Sequence, residues 1–337
     1  MQVLGGHSFD HAHLLSTSGA YEWWYVDAQS QSGEWGIVVI VFRGMPMSPD
    51  YLAALADPAL VHPADHCGYA VSVYHYGARI ATAFHGVAPS ECSFSATDCD
   101  VGAATVSIRR ETDGLYRVQA STRLDHMPHA VQISATLVPL SSPAGSSTES
   151  EPHAWIVAAP RCKASVELSF EESGSIREVA RWNGFGYHDH NVGMRPLQAD
   201  HGDWYWGRVH DVDRTIVYLA TPGATQPFAW LGVADADGLH VCDSVVFTAT
   251  QRRRSFMGLR INRTISCRGT LPSGEMLDVL CRNAVVVENG PFYQRYYSDW
   301  IVNGVHIKDR GMSEYMDCAR YQRAWIRPFL RTIWQQR

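Results

Sequence analysis

The chain has 337 residues, 46% of them hydrophobic and 18% charged, a composition that excludes general disorder and leaves room for two domains. Lys and Arg number 28 against 34 Asp and Glu, a net charge of −6 with His neutral. That lacks the basic footprint phosphate binding needs, so no nucleic-acid partner is expected. No stretch approaches the roughly 20 apolar residues of a membrane-spanning helix.

Residues 1–10 carry neither the positive segment nor the apolar core of a signal peptide. Ala20-Tyr-Glu-Trp-Trp-Tyr-Val-Asp27 reads as a strand whose consecutive aromatics face opposite ways. Trp23 and Tyr25 share one side, Glu22 and Trp24 the other, filling a core or walling a pocket. Gly36–Phe42 is the longest clean apolar run, and a short helix is predicted over Pro49–Ala56. Further strands are predicted over 68–76, 104–109, 115–121, 131–138, 154–158, 164–170, 215–220, 228–234, 240–248, 276–287 and 295–303. Alternation in Val131–Leu137 and Lys163–Phe170 marks half-buried antiparallel strands.

Asp113-Gly114 and Asp237-Gly238 predict tight hairpins. Ser141–Glu151, of low complexity, is expected as a flexible surface loop, and Arg252-Arg253-Arg254 as a solvated loop. A terminal helix is expected around Arg320–Trp334, interrupted by Pro328. So many short strands with so little helix predict an all-β protein of sandwiches or barrels. A boundary near residue 200, after a Gly-rich stretch, would divide it into domains 1–200 and 201–337. The eight cysteines form no Cys-x-x-Cys pair and several sit in apolar runs, so they are expected reduced and buried in a cytoplasmic protein.

The densest polar-aromatic segment is Arg181-Trp-Asn-Gly-Phe-Gly-Tyr-His-Asp-His-Asn-Val-Gly193, followed by Gly202-Asp-Trp-Tyr-Trp-Gly-Arg-Val-His210. On an extended strand Tyr187, Asp189 and Asn191 share a face, with His188 and His190 on the other; Trp204 and Trp206 likewise share one. A carboxyl among aromatic rings is a candidate for being held neutral and so for general-acid work. The plainer alternative is an ionised Asp189 paired to Arg181 or Arg208. His188-x-His190 could chelate an ion with help from His153, His201 or His210, or be two satisfied histidines. Pro152-His-Ala-Trp-Ile-Val-Ala-Ala-Pro-Arg-Cys162 puts His153 and Trp155 on one face. No Gly-x-Ser-x-Gly elbow, P-loop or dinucleotide fingerprint is present, so nucleotide cofactors are not expected.

Taken in order, Tyr-Glu-Trp-Trp-Tyr (21–25), His-x-Trp with Ala-Pro-Arg (153–161), Gly-x-Gly-Tyr-His-Asp-His-Asn-x-Gly (184–193) and Trp-x-Trp-Gly-Arg (204–208) resemble the carotenoid 1,2-hydratases, also called hydroxyneurosporene synthases. Arg310-Gly-Met-Ser-Glu-Tyr-Met-Asp317 resembles that family's closing segment. The resemblance implies two lipocalin-like antiparallel β-barrel or sandwich domains and no cofactor or metal. The implied reaction adds water to the terminal double bond of an acyclic carotenoid.

It further implies Asp189 as proton donor, with Tyr187, His153 and Trp155 beside it. Trp23, Trp24, Tyr25, His188, Asn191, Trp204, Trp206 and Arg208 are expected around a hydrophobic polyene. Where the family's motif carries Trp after the Asn, this chain has Val192. An oily substrate also implies peripheral contact with the inner membrane face. A lipocalin-like cyclase or pericyclase, or a non-catalytic carrier of a hydrophobic ligand, are the rival expectations, since fold alone does not fix the reaction.

Overall fold

The computed structural model describes residues 1–55, 62–125, 127–141, 151–326, 328–329 and 335–336. The chain divides into two compact units, Met1–Leu197 with Pro328–Arg337, and Gln198–Arg327.

The first unit is one 13-stranded sheet. Its strands are β1 (Gln2–Gly5), β2 (Tyr21–Ser30), β3 (Trp35–Arg43), β4 (Cys67–His75), β5 (Ala78–Val87) and β6 (Ser93–Phe94). They continue with β7 (Asp98–Val101), β8 (Val106–Arg110), β9 (Tyr116–Arg123), β10 (Ala130–Pro139), β11 (His153–Glu172) and β12 (Ser175–Gly193). The second unit is a 10-stranded sheet. Its strands are β13 (Asp203–His210), β14 (Thr215–Thr221), β15 (Phe228–Asp235), β16 (Gly238–Val241) and β17 (Asp243–Arg254). They are followed by β18 (Arg260–Thr270), β19 (Met276–Asn289), β20 (Tyr293–Val302), β21 (Val305–His306) and β22 (Gly311–Asp317). The last strand, β23 (Gln335–Gln336), returns to the first unit and pairs with β5.

Pairing is antiparallel except where the short β1 and β23 add in parallel to β11 and β5. In the first sheet the order runs β23-β5-β4-β3-β2-β12-β11-β10-β9-β8-β7-β6. It curls until β7 and β8 reach β3 and β4. One core results, to which Trp24, Val26, Val39, Val71, Ala83, Ile108, Val118, Ile133 and Val166 all contribute. The second sheet, in the order β16-β15-β14-β13-β22-β20-β19-β18-β17, wraps a separate core around Tyr205, Val209, Tyr218, Leu231, Ile265 and Trp300. Burying such side chains contributes roughly 1.5–3 kcal/mol apiece. Both sheets are curled half-barrels, the all-β lipocalin-like architecture expected.

β9 alternates strictly between buried and exposed residues, as a half-buried strand must. β2 is buried at every position, and so is β12 from Gly186 to Gly193. Their sequences therefore show no polar alternation, and polar groups placed there lie in the interior.

The hairpin at Asp113-Gly114 forms, with Gly114 at φ 84° accepting the left-handed turn. Asp237 sits in the two-residue turn joining Asp235 to Gly238. The short helix is present as α1 (Pro49–Ala54), started by the Ser48 side chain accepting from Tyr51 N–H.

Three expectations need correction. The run 240–248 is two strands, interrupted at Cys242, whose N–H bonds to the Leu231 carbonyl. Arg252–Arg254 is exposed as expected, but it is the end of β17, paired with Arg260–Asn262, and not a loop. Residues 320–326 are successive turns, because Arg320, Arg323 and Ile326 each bond back three residues, not four. Residues 327, 330–334 and 142–150 lie outside the described residues, which leaves there most of the expected terminal helix and the Ser141–Glu151 loop. All eight cysteines are free thiols and all but Cys92 are buried. No described helix is long and apolar enough to cross a membrane.

Candidate active site

Register decides which side chains share a face. β12 pairs with β2 so that Tyr187 lies opposite Asp27, Asp189 opposite Tyr25, Asn191 opposite Trp23 and Gly193 opposite Tyr21. On its other side β12 pairs with β11, placing Trp155 opposite Asn191 and His153 opposite Gly193. Directly opposed residues project from the same face. One face therefore gathers Tyr21, Trp23, Tyr25, Asp27, His153, Trp155, Tyr187, Asp189 and Asn191. The opposite face carries Glu22, Trp24, His188 and His190 toward the barrel core. Trp24 and His188 are thus separated from Asp189 by the thickness of the sheet.

Asp189 is 4% exposed. Its Oδ2 accepts from Trp155 Nε1 and from the Tyr187 hydroxyl, each at 2.8 Å. Its Oδ1 accepts from Asn191 Nδ2 at 3.2 Å. Arg181, one partner considered for Asp189, lies on the exposed part of β12 and binds Glu167 and Glu178. Around the carboxyl, the Tyr25 and Tyr187 rings meet edge-on with centroids 6.1 Å apart. Tyr21 stacks on Trp23 at 5.0 Å, and its hydroxyl is hydrogen-bonded to His153 Nδ1 at 2.9 Å. Gly193 makes that bond possible, because a Cβ there would lie 2.3 Å from the Tyr21 ring and 2.7 Å from His153 Nδ1. Gly184 is needed for another reason: a Cβ would stand 1.8 Å from the Gln29 carbonyl oxygen of β2.

Trp204, Trp206 and Arg208 belong to β13 of the second unit. They are buried and alternate with Tyr205 and Val209, so they project from the face opposite that unit's own core. His210 bonds to Thr215 Oγ1 at 2.7 Å, and His201 meets the Trp204 ring edge-on.

On the barrel-core side lies a second polar cluster. His188 bridges the Tyr25 carbonyl at 2.9 Å and Asp10 Oδ2 at 3.0 Å. Asp10 Oδ2 also accepts from the Tyr116 hydroxyl. His190 places Nε2 3.0 Å from Glu22 Oε1 and Nδ1 3.2 Å from Asp10 Oδ1. Glu22 further binds His13 Nδ1 at 2.8 Å and Arg43 at 3.3 Å. Burial alone would push His190 toward neutrality, but the Asp10 and Glu22 carboxylates lift it to about 9. Burial would raise Glu22, and the His13 and His190 rings instead bring it down to about 2. Asp10 is likewise opposed by burial and held well below the usual carboxylate range by His188 and His190.

Among the described residues, His13, Glu22 and His190 form a group with metal-ligating atoms within 4.8 Å of one another. It takes one histidine from the His-x-His pair and none of His153, His188, His201 or His210. The cluster already balances charge: Asp10 and Glu22 face the His190 imidazolium and the Arg43 guanidinium. A small cleft beside it is lined by Asp10, Trp24, Tyr116 and Thr97, on the side of β12 away from Asp189.

Asp10, His13, Tyr21 and Asp27 were not among the residues expected at the site. Asp10 and His13 lie in a segment without periodicity. Asp27 had a visible signal, since Tyr25-Val-Asp27 repeats the Tyr-x-Asp pattern of Tyr187-His-Asp189.

Two curled half-barrels, with a buried carboxyl among aromatic donors, define a lipocalin-like β protein. A family profile described as carotenoid hydratase CrtC matches residues 39–336, and the chain belongs to that family. It is 27% identical to a hydroxyneurosporene dehydrogenase of Chlorobaculum tepidum, over 91% of this chain and 85% of the relative. It is also 29% identical to the acyclic carotenoid 1,2-hydratase of Thiocapsa roseopersicina, over 58% of this chain and 46% of that one. With the Rubrivivax gelatinosus enzyme of the same name the identity is 27%, over 60% and 48%. The matched region spans about half the length of these two hydratases. Among solved structures, an AttH-type protein of Nitrosomonas europaea superposes with a TM-score of 0.61 at 16% identity, covering 92% of this chain and 95% of that one. CghA bound to Sch210972 superposes with 0.63 at 14% identity, covering 91% and 94%. These likenesses establish the fold.

Proposed function

We propose that this protein adds water across the terminal double bond of an acyclic, carotenoid-type polyene, with Asp189 as the proton donor. The observation that carries the reading is the buried Asp189 carboxyl whose Oδ2 accepts from both Trp155 and Tyr187. Family membership supports the substrate class.

Protonating a trisubstituted alkene is difficult because a carbocation must replace a π bond. Burial disfavours an ionised carboxyl before the step. The two donors on Oδ2 stabilise the carboxylate left behind, and this gain grows as the proton departs. An indole N–H only donates, so Oδ2 is committed as an acceptor. The transferable hydrogen then belongs on Oδ1, whose contact to Asn191 is the longest of the three. The tertiary cation forms beside the aromatic faces of Trp155, Tyr187, Tyr25 and Trp23, which attract positive charge. His153, oriented by Tyr21, stands further along the same face, on the Asn191 side of the carboxyl. The steps balance without a metal or cofactor: polyene plus water gives a tertiary alcohol.

Incubation with lycopene- or neurosporene-type polyenes tests the proposal by product mass. Hydration adds one water, cyclisation adds nothing, and a carrier returns its ligand unchanged. The oily substrate also calls for contact with a lipid surface, which co-sedimentation with vesicles would detect.

A further inference from the structure

We propose that Asp27 is the general base that takes the proton from the attacking water, paired with Asp189 as the acid. The inference rests on the hydratase reading and deepens it by assigning the second half of the reaction.

Two Tyr-x-Asp pairs lie side by side on neighbouring antiparallel strands. On β2 the Tyr25 hydroxyl donates to Asp27 Oδ2 at 3.1 Å; on β12 the Tyr187 hydroxyl donates to Asp189 Oδ2 at 2.8 Å. The register sets Tyr187 opposite Asp27 and Tyr25 opposite Asp189, so the four residues form a square with the carboxyls at opposite corners. The Tyr25 and Tyr187 rings, at the other two corners, touch edge-on. Asp27 is completely buried and Asp189 nearly so.

Diagonal neighbours on one face of an antiparallel pair stand about 7–8 Å apart. Acid and base carboxyls that must hold a water and a reacting carbon between them in sugar hydrolysis are separated by roughly 6.5–9.5 Å. A backbone diagonal of this size lets the two carboxyls act on opposite ends of one addition. A buried aspartate this near the acid has no part in protonating the alkene, whereas capture of water by a cation releases a proton that needs an acceptor.

The balance is as follows. Asp189 transfers its hydrogen to the less substituted alkene carbon, forming a C–H bond and leaving a tertiary cation and the Asp189 carboxylate. A water lone pair forms the C–O bond while one of its O–H bonds breaks toward Asp27. Asp27 ends protonated, and passage of that proton back to Asp189 resets the pair. Substrate plus water gives alcohol, with no oxidant or reductant.

The test follows alcohol formation and deuterium entry into recovered polyene, or its double-bond isomer, in heavy water. A cation that forms but is not captured by water collapses by losing a proton, and so leaves deuterium behind. In Asp27→Asn, alcohol formation should fall at least about 100-fold, the usual scale of a general base, while deuterium entry into polyene is kept or rises, because cations no longer captured collapse back. Alcohol at the wild-type rate, or loss of both signals in folded protein, overturns the assignment. Should Asp27→Asn fail to fold, Tyr25→Phe removes only the hydroxyl on Asp27 and should change the ratio of alcohol to labelled polyene; an unchanged ratio overturns it. Asp189→Asn must lose both signals. Retained alcohol in that variant defeats the acid reading itself, independently of Asp27.

Discussion

The Tyr21 hydroxyl reaches His153 Nδ1 at 2.9 Å across Gly193, the residue that both of them face in the register of the sheet. A glycine is required there because any Cβ would occupy the path between the two rings. Gly193→Ala should therefore destabilise the protein by about 1–3 kcal/mol, the usual cost of overpacking a full interior. Activity should fall with it, because His153 is displaced. Thermal unfolding and turnover check the pair, and an unchanged melting temperature with full activity would show that the contact is dispensable.

Trp155 acts on Asp189 through one hydrogen atom. Trp155→Phe keeps an aromatic ring but removes the N–H on Oδ2. Turnover should fall by about 100- to 1000-fold, the scale seen when a donor to developing negative charge is lost, with polyene affinity little changed. Tyr187→Phe should act similarly. Because both donors serve the same oxygen, the double variant should depart from the product of the single effects. Kinetics on the four proteins settle this, and strict multiplicativity would argue that the donors act separately.

The Asp10–His190–Glu22 cluster makes stability depend on pH in both directions. His190 is raised to about 9, so its contribution is complete below its unfolded value near 6.5 and is lost as pH rises through about 9. Glu22 is lowered to about 2, so its contribution is complete above about 4.5 and is lost as pH falls toward 2. Denaturant titrations across pH should show a plateau between about 5 and 6 and a decline on either side. His190→Ala should cost about 3–5 kcal/mol, because it leaves Asp10 and Glu22 buried without their shared partner, and should flatten the alkaline decline. An alkaline limb that survives in the variant would assign it to another group.

Since that cluster is charge-balanced by Arg43 and His190, its stability should not depend on a metal. Dialysis against a chelator should leave the melting temperature unchanged. A marked fall, restored by a divalent transition ion, would instead make His13, Glu22 and His190 a metal site.

How much of this was legible in the sequence depends on range. The parity of a strand is local, so the shared face of Tyr187, Asp189 and Asn191 could be read directly, as could the turn at Asp113-Gly114 and the start of α1. The same parity separates Trp24 and His188 from Asp189, although all three lie in motifs of one family. The partners of those residues were not legible. Asp10 meets His188 across 178 positions and Trp155 meets Asp189 across 34. The pairing of β11 with β12 brings Trp155 to Asp189, and Asp10 reaches His188 from the segment between β1 and β2. The break at Cys242 was hidden because residues on both sides of it have strand-like composition, and only the change of partner strand, from β15 before it to β18 after it, marks the interruption.

The central claim is that the Asp189 carboxyl delivers the proton, and Asp189→Asn measures it most directly. The variant keeps the size and most of the hydrogen bonding of the side chain but has no acidic hydrogen. Polyene binding should stay within a few-fold of wild type while formation of the hydrated product disappears. Hydrated product at the wild-type rate from the variant would contradict the account.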